Sequence, residues 1–148
     1  MIREAKPEDG PAIQALYKVL IPNGPVHVLA DRIEQIAKEP YNFLFVYEED
    51  PPGGGTILGT VFFTVCLSPM FGFQSFGVIE NFVVAETARG RGIGTALLNH
   101  VLQTGRAHRC FAVKLLSGSS REDAHRFFTR NGFNGADKKG FIKYLNRS

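Results

Sequence analysis

A glycine-rich hexapeptide with two arginines, Arg89-Gly90-Arg91-Gly92-Ile93-Gly94, carries the clearest chemical signal in the sequence. An apolar segment at 78–84 precedes it, and a segment with helical periodicity at 95–102 follows it. Glycines let a backbone approach a ligand closely, the first N–H groups of a helix attract anions, and arginine adds charge-assisted hydrogen bonds. The stretch therefore predicts a phosphate-binding turn between a strand and a helix, although a glycine-rich turn without a ligand shares this local pattern.

The glycine spacing excludes two other phosphate-binding patterns. The chain has no Gly-Lys-Ser or Gly-Lys-Thr, which the Walker pattern requires. The dinucleotide pattern G-x-G-x-x-G also fails, because the third glycine, Gly94, comes one residue too early. The pattern that fits is R-x-x-G-x-G after an apolar strand.

Length and composition indicate one ordinary globular domain, residues 1–148. The chain is 44% hydrophobic and 21% charged, and its net charge is only +3. Charges of both signs are scattered, which does not favour a nucleic-acid surface but suits an anionic ligand. The N-terminus lacks an apolar signal region, and the longest apolar run, around 61–67, is too short to span a bilayer. We expect a cytoplasmic protein that binds neither nucleic acid nor membrane.

The cysteines and histidines show no metal-binding spacing. Cys66 and Cys110 lie in apolar, strand-like runs, so we expect buried free thiols rather than a disulfide or a metal pair. We expect His100 and His108 on or just past a solvated helix face, and His125 in a packing or surface position. No metal is therefore expected.

Hydrophobic periodicity and turn signals predict the elements that must position the hexapeptide. Their order, β-α-α-β-β-β-α-β-α-β-β, predicts an α/β or α+β domain with a mixed sheet and helices on its faces. A loop at 49–55 joins two strands of a hairpin. The predicted elements are strands at 1–6, 42–48, 56–67, 77–85, 110–116, 133 and 141–145, and helices ending near 20, at 28–38, from 95 to about 105, and at 121–130.

The hexapeptide and a second motif together resemble the GCN5-related N-acetyltransferase (GNAT) family. Arg89 follows Val84 after four residues, which is the spacing between that family's fourth strand and its pyrophosphate loop. The segment 124–133, AHRFFTRNGF, is similar to the family's A-x-x-[F/L]-Y-x-x-x-G-F helix. The predicted order of elements is also that of the GNAT fold, so the resemblance covers essentially the whole chain.

The resemblance implies an enzyme that moves an acetyl group from acetyl-coenzyme A to a primary amine of a small molecule, by direct attack in a ternary complex. It implies that the fourth and fifth strands splay at a bulge, whose unpaired N–H can stabilise the oxyanion, and that the strand 79–84 donates and accepts backbone hydrogen bonds with the pantetheine arm. The pyrophosphate would contact the N–H groups of the turn. The implied donor-binding residues are Phe82, Val83 and Val84 on the strand and Arg89, Gly90, Arg91, Gly92, Ile93, Gly94 and Thr95 on the turn.

Glu80 is the candidate general base for this reaction, directly or through a water molecule. An alkyl ammonium has a pKa near 10, so a base helps at neutral pH. Glu80 is a lone carboxylate in an apolar strand, and we expect burial to raise its pKa. Simple alternation puts Glu80 on the face of Phe82 and Val84, whereas a bulge would change that parity. A structural Glu that accepts backbone hydrogen bonds is the alternative.

The chain departs from the family pattern at Phe128, where relatives usually have the Tyr that is often proposed to protonate the leaving thiolate. Phe has no O–H and lacks this function. Tyr144, Ser119 and Ser120 are candidate acids, alongside water or direct departure of the thiolate. Arg121 also stands where many relatives carry an Asn that faces the cofactor.

The acceptor is the least defined part of the prediction. His27 lies before the second helix, in a region that borders the acceptor groove in this family. The loop 68–76, with Met70, Phe71 and Phe73, is a second groove candidate, or else a hydrophobic lid or a homodimer contact. The run 117–127 is similar to a subset that acetylates small amines and aminoglycoside-like compounds. A protein N-terminus or lysine is an alternative acceptor, and a non-catalytic acyl-coenzyme A-binding regulatory module is a further alternative that Phe128 favours.

Overall fold

A five-stranded sheet organises the protein in a computed structural model, which describes residues 1–50 and 55–146. The first four strands pair antiparallel in chain order, and the fifth lies beside the fourth, so the sheet is mixed. The predicted α/β class with a mixed sheet is confirmed. Residues 51–54 of the predicted hairpin loop lie outside the described residues. The strands are β1 (Ile2–Glu4), β2 (Asn42–Glu48), β3 (Ile57–Leu67), β4 (Ser75–Val84) and β5 (Cys110–Leu115).

Four α-helices accompany the sheet, close to their predicted positions. The starts of the third and fourth helices differ from those predicted. The third helix begins at Ile93, two residues before its predicted start, so the hexapeptide itself runs into the helix. The fourth helix begins at Glu122, one residue after its predicted start, and its N-cap, Arg121, forms no capping side-chain hydrogen bond. The helices are α1 (Gly10–Leu20), α2 (Ala30–Ala37), α3 (Ile93–Ala107) and α4 (Glu122–Arg130).

The chain divides into two compact units, Met1–Lys114 and Leu115–Ser148. In the first unit, α1 and α2 cover one face of the sheet. Their buried residues Ile13 and Ile33 form one hydrophobic cluster with Leu44 of β2. Burial of apolar side chains of this size stabilises a fold by roughly 1.5–3 kcal/mol each, so this cluster holds α1 and α2 on the sheet.

Helix α3 packs on the sheet through one apolar face. A Cβ at Gly59 would lie 2.9 Å from Leu97 and 3.3 Å from Ile93, so the absence of a side chain lets the helix approach β3 closely. Leu97, Leu98 and Val101 are fully buried. The start of α3 is thereby anchored next to the end of the β3–β4 pair.

Two histidines at α3 differ from their predicted solvated position. The ring of His100 meets Phe45 edge-on at 4.5 Å between centroids, and His108 meets Phe43 at 5.3 Å. Burial lowers the pKa of His100. The prediction was wrong because aromatic residues of β2 project toward this helix, which helical periodicity alone does not show.

The second unit lacks the last two predicted strands within its described residues. Residues 141–146 are exposed and irregular, and Phe133 follows the end of α4 without pairing in a strand. A strand requires a neighbouring strand for its hydrogen bonds, and this unit contains only the last residue of β5. Phe127, Phe128 and Phe133 instead form successive edge-to-face contacts that close the C-terminal end of α4.

Candidate active site

A bulge in β4 is the central irregularity of the first unit. Thr60 pairs with Val83 and Phe62 pairs with Glu80, so one residue of β3 faces two residues of β4 between these pairs. Asn81 lies in this bulge with a φ of 54°, a left-handed conformation that Asn adopts more readily than most residues. A bulge locally disrupts the ladder and bends the strand. The bulge predicted from the sequence is therefore present.

The bulge also decides the face on which Glu80 lies. Directly paired residues share a face of the sheet, and the partners of Glu80 and Val83 are two positions apart on β3. Glu80 therefore shares its face with Val83 and with its own partner Phe62, rather than with Val84. The simple alternation considered for the sequence is wrong because the extra residue shifts the parity.

The burial predicted for Glu80 is also wrong. Glu80 and Asn81 are the two exposed residues of β4, whereas the residues on either side of them are buried or partly buried. This part of the strand is left uncovered where the bulge bends it. Glu80 is therefore a solvent-accessible carboxylate beside the bulge, and the desolvation expected from an apolar strand does not apply.

The glycine-rich turn has the backbone conformation that the hexapeptide predicts. Gly90 has a φ of 80° and Gly92 a φ of 81°, both in the left-handed region that glycine adopts without strain. Apart from the adjacent residues, no atom of the described part of the chain lies within 4 Å of the position that a Cβ would take at either glycine. Gly92 is the N-cap of α3, and its carbonyl accepts the first bond of the helix, from Ala96 at 3.0 Å.

The N–H groups from Gly90 to Thr95 donate no hydrogen bond within the part of the chain that the structure describes. Gly92 has no side chain to cap the helix, and the first turn of α3 contains no acidic residue. Unsatisfied N–H groups at the positive end of a helix are a ready anion site. This geometry fits a pyrophosphate contact at the predicted residues.

The two arginines of the turn differ in their surroundings. Arg89 and Arg91 are both exposed. Arg91 forms an exposed ion pair with Glu49, with 3.3 Å between Nη2 and Oε1. Such a surface pair contributes little to stability and exchanges readily with solvent or with another anion. The charge of Arg91 is therefore partly engaged by the protein itself.

A cavity of about 730 Å³ lies between the sheet and the two N-terminal helices. Ile13 of α1, Ile33 of α2, Leu44 of β2 and Phe62 of β3 supply apolar lining. Because Phe62 pairs with Glu80, this carboxylate stands on the same face of the sheet as the cavity. The cavity is of a size that encloses a small organic molecule.

The polar side chains of this cavity come from α1, from α2 and the residues on either side of it, from β2 and from the β4 bulge. Tyr17 of α1 and Asn81 of the bulge line it and are joined by a side-chain hydrogen bond. Burial raises the pKa of Tyr17, and the hydrogen bond from Asn81 only partly offsets this. His27, Arg32 and Glu39 are exposed residues of the lining and form a polar rim.

Sequence reasoning identified His27 in this lining but missed Tyr17, Asn81 and Arg32. Tyr17 reads as an ordinary core residue of an amphipathic helix, because its spacing with Ile13 is helical. The one available signal was Asn81, a poor strand former in an apolar strand. The predicted loop residues Met70, Phe71 and Phe73 are exposed and do not belong to the lining.

The remaining predicted residues belong to the second unit. Ser119, Ser120 and Tyr144 are exposed there, and Phe128 and Arg121 belong to α4 and its N-cap.

Cys66 and Cys110 of the first unit are free thiols, as predicted, and are partly buried. Within residues 1–50 and 55–146, no His, Cys, Asp or Glu group is arranged to hold a metal ion, and no helix has the length and apolar character needed to cross a bilayer.

The comparison with protein families decides the assignment of this site. The model of the Acetyltransferase (GNAT) family matches residues 13–133, most of the chain. The chain belongs to the GNAT acetyltransferase family. The resemblance read from the two motifs is confirmed, and the chain is an acyltransferase. GNAT enzymes use acetyl-coenzyme A.

Solved structures support the GNAT fold over nearly the full chain. A protein from Agrobacterium tumefaciens str. C58, assigned as an acetyltransferase, is 28% identical with a TM-score of 0.87, and the alignment covers 98% of this chain and 99% of that one. Glucosamine-6-phosphate N-acetyltransferase from Arabidopsis thaliana is 20% identical with a TM-score of 0.80, covering 99% and 98%.

A third similar structure contains a coenzyme A derivative. AAC(6')-Iy, in complex with the bisubstrate analog CoA-S-monomethyl-acetylneamine, is 19% identical with a TM-score of 0.77, covering 100% of this GNAT chain and 98% of its own. At this identity the likeness shows the fold alone. No curated protein sequence matches the chain significantly.

Proposed function

We propose that this GNAT protein transfers an acetyl group from acetyl-coenzyme A to a primary amine of a small molecule by direct attack in a ternary complex. The observation that carries the proposal is the partly open cavity of about 730 Å³ on the Glu80 face of the sheet, at the β4 bulge. A cavity lined by two helices and three strands suits a small acceptor better than an extended peptide.

The donor would be held by backbone rather than by side chains. N–H groups of residues 90–95 would bind the pyrophosphate, and Arg89 and Arg91 would add positive charge. The Ala85 N–H donates to the Leu58 carbonyl of β3, so the N–H of Val84, the preceding residue, points to the opposite edge of β4. That edge would bind the pantetheine arm along residues 82–84. Acetyl-coenzyme A supplies the activated acetyl group as a thioester.

Glu80 would accept the proton that the amine loses. It is exposed and lies on the cavity face, so an acceptor amine or an intervening water can reach it. The bulge beside it would present backbone N–H to the carbonyl oxygen of the acetyl group, where negative charge develops. Tyr144, Ser119, Ser120, water and direct departure of the thiolate remain alternatives for the acid step, because Phe128 lacks a hydroxyl.

A release assay for free coenzyme A thiol tests the proposal. The panel should contain small primary amines, a peptide with a free N-terminus and a peptide with a free lysine. Turnover of small amines with little turnover of either peptide supports the proposal. Turnover of a peptide alone supports the protein-acetylating alternative, and binding of acetyl-coenzyme A without any turnover supports the regulatory module.

The cytoplasmic location and the homodimer stay predictions from the sequence.

A further inference from the structure

The polar contacts inside the cavity indicate what kind of amine it accepts, given the function proposed above. Half of the described lining residues have apolar side chains, and Glu39 is the only carboxylate among them. Arg32 and His27 also line the cavity, and neither forms an ion pair within the described ranges. An aminoglycoside carries several ammonium groups and requires several carboxylates. This lining favours a monoamine with an apolar body over such a polycation.

Tyr17 and Asn81 place one directed polar contact within this lining. Tyr17 belongs to the hydrophobic cluster of α1, α2 and β2 and is partly buried, yet it also lines the cavity. Its hydrogen bond with Asn81 fixes its hydroxyl next to the β4 bulge. The Asn81 amide N–H can donate to the Tyr17 oxygen, and the Tyr17 hydroxyl can itself donate to a ligand.

Asn81 is held in a conformation that links this contact to the site of chemistry. Its φ of 54° is uncommon for a residue other than glycine, and such conformations concentrate at functional sites. It follows Glu80 directly in the chain. Tyr17 therefore meets the chain at the residue next to the candidate base, on the side of the sheet where the amine would be deprotonated.

We propose that Tyr17, oriented by Asn81, donates a hydrogen bond to an oxygen atom one or two carbons from the acceptor amine. The acceptor class is thus an apolar-bodied primary amine with a vicinal hydroxyl or carbonyl oxygen, such as an aryl or alkyl amino alcohol. Tyr17 is a specificity-determining residue in this assignment, and Asn81 is a positioning residue that acts through it.

A matched pair of amines tests this assignment: 2-phenylethylamine and 2-amino-1-phenylethanol differ by one hydroxyl. The dissociation constant of each amine is measured by calorimetry on the wild-type chain, alongside kcat and KM in the thiol-release assay. The wild-type chain should prefer the amino alcohol by about three- to tenfold, the usual value of one neutral hydrogen bond. Tyr17→Phe removes only the hydroxyl and should abolish this preference, mainly through KM, while the KM for acetyl-coenzyme A stays unchanged.

Two further variants separate the contact from a structural effect. Asn81→Gly keeps the left-handed backbone accessible and removes the amide, and it should reduce the preference by about twofold or more because Tyr17 loses its orientation. Tyr41→Phe is the matched control, since Tyr41 is exposed and lies outside the lining. It should leave the preference unchanged. Melting temperatures within a few degrees of wild type confirm that the variants fold.

The outcomes distinguish this inference from the proposed function. A binding preference for the amino alcohol that Tyr17→Phe removes supports the inference even if neither amine is acetylated, and the absence of turnover then counts against the proposed function alone. Turnover of both amines without a preference, or with a preference that Tyr17→Phe retains, overturns the inference and leaves the acetyltransferase function standing. Failure of both amines to bind overturns it as well.

Discussion

The turn at residues 89–95 and the cavity under α1 and α2 offer a ligand different kinds of groups. The turn presents backbone N–H groups from one short segment, with left-handed glycines and no capping side chain. The cavity presents side chains from α1, α2, the loop before α2 and three strands. One site is formed by seven consecutive residues, and the other is assembled from positions up to 68 apart in the chain, from Ile13 to Asn81.

The difference explains why the donor is easier to identify than the acceptor. A backbone-built site depends on glycine positions, which leave a local pattern in the sequence. A site built from side chains on packed elements depends on which faces meet, and it tolerates many residue types. Substitutions in the two regions should therefore have different consequences, the first set altering donor affinity and the second set altering acceptor choice and pH dependence.

The largest effect is expected from Gly92→Asp in the turn. A carboxylate placed near the pyrophosphate costs about 4 kcal/mol at close range in a partly solvated site, or about 10³-fold in affinity for acetyl-coenzyme A. Gly92→Asn is the matched control, because Asn has similar bulk and tolerates positive φ. Calorimetric titration measures both. Equal losses of affinity in the two variants would show that the shape of the turn, rather than the charge placed there, determines acetyl-coenzyme A binding.

Glu80→Gln should lower kcat/KM by about 10²-fold at pH 7, the usual range for a general base. The loss should shrink as the pH approaches the acceptor pKa near 10, where the amine is neutral without help. Glu86→Gln, in the exposed turn after β4, serves as the control. The pH profile of kcat/KM checks this. A loss of the same size at every pH would mean that Glu80 does not accept the proton.

Asp9→Asn tests the framework behind the acceptor cavity. Asp9 accepts two hydrogen bonds from Arg3, at 2.8 and 3.0 Å, just before α1. Burial alone would raise the pKa of Asp9, yet the bonds from Arg3 and from the Lys6 N–H hold it below its usual value. The variant should lose about 1–3 kcal/mol of unfolding free energy at pH 7.

The pH dependence of this loss follows from the direction of the pKa shift. A carboxyl with a lowered folded-state pKa stabilises the fold fully above its unfolded pKa of about 3.9, and the contribution disappears as the pH falls through the folded-state value. Urea denaturation of wild type and Asp9→Asn should therefore converge below about pH 4. Asp137→Asn, at an exposed position of the second unit, should show no such convergence.

The smallest effect is expected from Glu49→Gln, which releases Arg91 from its exposed ion pair. Affinity for acetyl-coenzyme A should rise by about two- to threefold at low salt, because an exposed pair is worth at most about 1 kcal/mol. The gain should fade at high ionic strength. Titrations at two salt concentrations measure it, and an unchanged affinity at both would mean that Arg91 does not contact the donor.

Much of the fold was predictable because its elements carry local signals. The bounds of β2 agree with the prediction, and those of β3, β5 and α4 differ by one residue, since alternation and turn residues mark their ends. The strands predicted at 133 and 141–145 are not formed within the described residues. Apolar character there indicated strands, but pairing is a tertiary property that a segment does not carry by itself.

The sequence by itself determined the family and the conformation of the glycine-rich turn, because glycine positions and helix-start geometry are local properties of a chain. Only the tertiary structure decided the face and exposure of Glu80, since one extra residue in β4 shifts every side chain beyond it. It also brought Tyr17 to Asn81, 64 positions apart in the chain. Packing of helix on sheet makes that contact, and packing is not encoded in the spacing of any single segment.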